Sequence, residues 1–110
     1  MSAQLEPRRF NLTEYYQMAA AGILTAEDRV ELIEGEIIKM RPIGSEHAAC
    51  IRRLDGFLRN KLGQRTLVSV QCPVRLNDFS EPEPDIALIL PHGDCYAKRH
   101  PTPEEIQLII

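Results

Sequence analysis

Four acids crowd into Asn77-Asp78-Phe79-Ser80-Glu81-Pro82-Glu83-Pro84-Asp85-Ile86, at positions 78, 81, 83 and 85. Pro82 and Pro84 fix φ and keep the approach extended, so Asp85 enters the next element in a set direction rather than on a slack loop. A carboxylate held in this way suits a hard cation such as magnesium, which tolerates little error in ligand position. The competing reading is an acidic turn that faces water.

Three further groups could work beside Asp85. Glu31 alternates with Val30 and Leu32, so in a strand it faces the opposite side; if its neighbours face the core, it is simply exposed. His47 falls in Gly44-Ser45-Glu46-His47, where a helix is expected to begin. There it could meet a phosphate or a metal-bound water, since helix starts favour anions, or it could be a surface histidine. Neither an HxxxH pair nor a histidine-rich set accompanies it, which leaves zinc poorly supported. Arg52, Arg53, Arg59, Lys61 and Arg65 face a single acid, Asp55, over the same stretch. They could meet nucleic-acid phosphates or form an ordinary solvated helix face. Walker A, dinucleotide-fingerprint and nucleophile-elbow motifs are absent, which disfavours P-loop and serine-hydrolase chemistry.

The elements that must hold these groups are readable from pattern. Residues 1–9 are polar and read as a flexible arm. Asn11 caps a helix whose third position is Glu14, with Phe10 and Tyr15 placed as a hydrophobic staple, and Gly22 ends it. Arg29–Ile33 and Glu36–Met40 are β-branched runs around Glu34-Gly35, which predicts a hairpin. Ser45 is a cap candidate for a second helix with Ala48, Ile51, Leu54, Leu58 and Leu62 on one stripe, up to Gly63. Residues 66–70 and 74–76 read as strand, Asn77-Asp78 as a turn, and Ile86–Leu90 as a central strand. Ile106–Ile110 reads as a last strand. It either docks at the sheet edge or belongs to a longer protein, and the second option is the expectation here. As an edge strand it could also pair with a second copy, giving a homodimer.

The 110 residues suffice for one domain. An apolar share of 44 % with three Phe, three Tyr and no Trp implies an aliphatic core. The formal charge of −3 argues against nonspecific binding of nucleic acid by the whole surface. Three scattered cysteines without a CxxC pair suggest neither a disulfide framework nor a zinc knuckle. With no leader pattern and no apolar stretch near the ~20 residues a span needs, the expectation is a soluble cytoplasmic protein without a membrane partner.

Taken together, Arg29-Val30-Glu31-Leu32-Ile33-Glu34-Gly35-Glu36-Ile37, Pro42-Ile43-Gly44-Ser45-Glu46-His47, Gln71-Cys72-Pro73-Val74-Arg75-Leu76 and Ser80-Glu81-Pro82-Glu83-Pro84-Asp85 resemble the Uma2 family of restriction-endonuclease-like proteins. The resemblance runs from about Phe10 to Ile110. It implies an α/β fold with a restriction-endonuclease-like core, a mixed central sheet flanked by helices, of which residues 10–110 would be the N-terminal part. It also implies a PD...(D/E)xK site for magnesium-dependent hydrolysis of DNA, with manganese as a substitute. Pro84-Asp85 matches the PD, making Asp85 catalytic and a metal ligand, while Glu31 and His47 match recurrent polar positions near the site. The (D/E)xK acid and lysine would follow the strand matching Ile106–Ile110, so this chain is expected to lack them and to be inactive alone. The alternative is a noncatalytic module for nucleic acid or protein on the same scaffold.

Overall fold

The computed structural model describes residues 4–110. The first three residues of the expected arm lie outside that range; within it, Arg8 is paired with Glu14 at 2.6 Å, and Arg9 donates to the Glu34 carbonyl.

Asn11 caps α1 (Leu12–Ala20) through a reciprocal box with Glu14. Asn11 Oδ1 accepts from Glu14 N–H at 2.9 Å, and Glu14 Oε1 accepts from Asn11 N–H at 3.0 Å. Two of the helix's unpaired donors are thereby satisfied.

The hairpin forms as its sequence predicts, with β1 (Val30–Ile33) antiparallel to β2 (Glu36–Lys39) and Ile33 opposite Glu36. Glu34 and Gly35 both take positive φ, 49° and 81°, as a two-residue turn matched to strand twist requires. Gly35 is also pressed against the chain before α1, where a Cβ would lie 2.7 Å from Arg9 Cβ.

Helix α2 (Ser45–Leu62) starts one residue earlier than the capping expectation. Gly44 is the cap, no side-chain bond closes it, and Ser45 is already helical. The apolar stripe behaves as read: Ile51, with Leu54, Leu58 and Leu62, packs on Val68, Ile86 and Leu88.

The larger sheet has the order β3 (Leu67–Val70), β4 (Ile86–Ile89), β5 (Ile106–Ile109), both pairings antiparallel. All four residues of β4 are buried, as expected of a central strand covered on both faces. Ile86 and Leu88 meet α2, whereas Ala87 and Ile89 meet Val74, Leu67, Tyr96 and Ile106. The α/β class and an arrangement consistent with a restriction-endonuclease-like fold both hold, with two helices and two small antiparallel sheets.

One expected strand does not form. Residues 74–76 run extended beside 80–82, with Val74 N–H bonded to the Pro82 carbonyl and Leu76 N–H to the Ser80 carbonyl, each at 3.0 Å, but no ladder develops. Pro73, Pro82 and Pro84 have no N–H to give, so pairing stops at isolated bridges. The turn at Asp78 and Phe79, bracketed by an Asn77–Ser80 bridge, does form.

Candidate active site

The segment 79–85 lies along the free edge of β1 and carries the acids into place. Gly35 N–H donates to the Phe79 carbonyl, Glu34 N–H to Ser80 Oγ, and Glu81 N–H to the Leu32 carbonyl, at 2.8, 2.9 and 2.8 Å. Further on, Gln71 N–H donates to the Asp85 carbonyl at 3.0 Å, joining the end of β3 to the start of β4. β1 is therefore flanked on both edges, by β2 and by this segment.

That flanking decides the role of Glu31. Leu32 is fully buried, yet the other face of the strand does not open simply to water. Glu31 is half-buried, and its Oε2 accepts the Glu83 N–H at 2.8 Å.

His47 lies on the same stripe as Ile51, one helical turn before it, so the packing of α2 on the sheet carries the imidazole to the head of β4. His47 Nε2 lies 2.9 Å from Asp85 Oδ2, and both side chains remain partly open to solvent. A proton on Nε2 makes this a donor contact to the carboxylate.

Glu31, Glu83 and Asp85 share one cleft of about 270 Å³ with Arg29, Lys39, Arg41 and Gln71. Glu83 holds its proton more tightly than an ordinary carboxyl, chiefly through burial and then through the negative charge of Glu31, with Arg29 pulling the other way. The three carboxylates offer hard oxygen donors, the chemistry a magnesium-class cation prefers. Among the described residues, however, no group of three or more His, Cys, Asp or Glu side chains could hold a metal ion as arranged. The donor set fits such an ion in kind, while the cage is not closed.

Glu81, the other buried acid, does separate work. Its carboxylate accepts from the Tyr16 hydroxyl and, at 3.1 Å, from Arg75 Nε, and its side chain is only 3 % exposed. Burial and the hydrogen bond to Glu81 push the Tyr16 phenol up to about 12. Asp78, exposed, gives its carbonyl to the Leu12 N–H at the start of α1.

The basic residues of α2 are not gathered at the cleft. Arg59 is engaged with Asp55 at 2.5 Å and with the Val68 carbonyl at 3.1 Å. Arg52, Arg53 and Lys61 are exposed, with Lys61 reaching over the Phe57 ring. At about 100° per residue, Arg52 and Lys61 project from opposite sides of the helix.

Arg29, Lys39, Arg41 and Gln71 are the lining residues that sequence reasoning passed over. For Arg29 a signal existed, since it stands two residues before Glu31 and hence on the same side of an extended chain. Lys39 and Arg41 enter only through hairpin register.

A family model described as "Uma2: Putative restriction endonuclease" matches residues 12–110. No curated protein and no solved structure matches the chain. No helix among the described residues is long and apolar enough to cross a membrane.

Proposed function

The chain belongs to the Uma2 family, whose model is described as "Putative restriction endonuclease", and from that premise we propose that its cleft takes part in divalent-metal-dependent hydrolysis of DNA phosphodiesters. The observation that carries this reading is the approach of His47 to Asp85 at 2.9 Å beside Glu31 and Glu83.

In this reading Asp85, with Glu83 beside it, would hold a magnesium or manganese ion. When bound, such an ion lowers the pKa of a coordinated water and offsets charge on the phosphate. Asp85 enters β4 in a direction fixed by Pro84 and by the bond from Gln71 N–H to its own carbonyl. His47 steadies one carboxylate oxygen of Asp85, so the other is presented to the cleft in a constant orientation. Glu31, fixed by the Glu83 N–H, is positioned to orient water. The compartment read for this activity is the cytoplasm; the three cysteines are all free, as a reducing milieu would keep them.

The deciding experiment incubates plasmid and single-stranded DNA with magnesium or manganese, using this chain and its reading frame extended past Ile110, each with and without Asp85→Ala. Metal-dependent cutting that disappears with Asp85→Ala is the expected result. Absence of cutting by either form, both shown folded by circular dichroism, overturns the reading in favour of a noncatalytic binding module.

A further inference from the structure

We infer that the open end of the β1–β2 hairpin, carrying Arg29, Lys39 and Arg41, seats the phosphate backbone of DNA at the carboxylate cleft. The inference rests on the nuclease reading above and assigns the substrate contacts to residues outside α2.

The hairpin register brings these cations together. Lys39 pairs with Val30, and Met40 N–H donates to the Arg29 carbonyl at 2.7 Å, so Arg29, Lys39 and Arg41 cluster around one end of a two-stranded ribbon. All three are exposed, and all three line the cleft that holds Glu31, Glu83 and Asp85. Despite those carboxylates, none of the three cations forms an ion pair among the described residues. Arg8, Arg9, Arg59, Arg75 and Arg99 are each matched to an acid; Arg52, Arg53, Lys61, Arg65 and Lys98 are also without an ion pair among the described residues, but none of them lines the cleft.

An acidic floor repels a polyanion, so a nucleic acid can approach these carboxylates only where cations on the rim offset them, as Arg29, Lys39 and Arg41 do for Glu31, Glu83 and Asp85. Exposed guanidinium and ammonium groups supply that attraction through charge-assisted bonds to phosphate oxygens. The helix cannot do so equally well. Arg59 is already engaged, Arg52 and Lys61 point in opposite directions, and no basic residue of α2 lines the cleft. The hairpin end is thus the basic surface from which a bound phosphate reaches Asp85.

The test measures anisotropy of a fluorescein-labelled DNA duplex and single strand in EDTA across a salt series. The proteins are the wild type, Arg29→Gln, Lys39→Gln, Arg41→Gln, the hairpin triple variant and the Arg52→Gln/Arg53→Gln pair, with Lys39→Arg as the conservative control. Each hairpin substitution should weaken binding several-fold and reduce the slope of log affinity against log salt by about 0.9 for duplex. The α2 pair and Lys39→Arg should bind as wild type. Thermal unfolding of each variant keeps a folding defect from passing as lost contact. Wild-type binding that survives the hairpin triple variant, or that is lost only in the α2 pair, overturns this inference and leaves the nuclease reading standing. Failure of folded wild type to bind either DNA, with or without magnesium, overturns both.

Discussion

The Glu31 carboxylate accepts a hydrogen bond from the backbone N–H of Glu83, so a side chain of the first hairpin strand fixes the main chain of the acidic segment leading to Asp85. Glu31→Ala leaves that half-buried N–H without its partner and should cost about 1–3 kcal/mol. Glu31→Gln keeps an acceptor oxygen and should cost less. Urea unfolding of the two variants beside wild type reads the difference. Because the charge of Glu31 raises the Glu83 pKa, both variants should also move the Glu83 carboxyl down in an NMR titration.

His47 approaches Asp85 without taking a place in the carboxylate set of the cleft. If it orients that ligand, His47→Ala should lower manganese affinity, followed by electron paramagnetic resonance, by about 10–100-fold, the usual cost of losing a residue that holds a metal ligand in place. The fold should persist, because the core face of α2 runs through Ile51, Leu54, Leu58 and Leu62. Unchanged metal affinity in the folded variant would remove His47 from the site.

The hairpin turn gives a stability test independent of function. Gly35→Ala introduces a Cβ at a φ of 81° and 2.7 Å from Arg9 Cβ, and should destabilise by at least about 1–2 kcal/mol, the left-handed cost alone. Glu34 also sits at positive φ, which asparagine tolerates better. Glu34→Asn should therefore raise the urea midpoint.

Much of the scaffold was readable because it is local. The Asn11–Glu14 box, the Glu34-Gly35 turn and the stripe from Ile51 to Leu62 each depend on residues within a few positions of one another. That same stripe, read backward by one turn, already sets His47 toward the sheet. The membership of the cleft was less legible. Lys39 and Arg41 reach it only because β2 pairs back on β1, and Gln71 only because its N–H meets the Asp85 carbonyl. Val74–Leu76 had the composition of a strand, and what prevented one was the lack of N–H groups on prolines in its own segment and in the neighbouring one.

Two pH dependences follow from the surroundings of single groups. The hydrogen bond from Arg99 holds the Glu105 carboxyl at about 2, against an ordinary value of 4.5. A depressed acid stabilises the fold above its unfolded pKa and loses that contribution as pH falls toward its folded pKa. Between about pH 4.5 and 2 the wild type should therefore lose more stability than Glu105→Gln, as seen in urea midpoints at the two ends of that window.

Tyr16 shifts in the opposite sense. With its phenol at about 12 rather than 10, the folded chain keeps a proton that the unfolded chain releases, so its contribution is full below pH 10 and is lost as pH rises toward 12. Phenolate absorbance should show one tyrosine titrating near 12. Glu81→Gln should return that midpoint toward 10.

The bond between Glu31 and Glu83 spans 52 residues, whereas the capping box of α1 spans three. On chain-entropy grounds, closing the longer loop costs about 2.5 kcal/mol more. The helices and the hairpin can thus be drawn together by near neighbours, while the cleft exists only after distant parts of the chain have met. A variant that keeps its helical circular dichroism can therefore already have lost the geometry at Asp85.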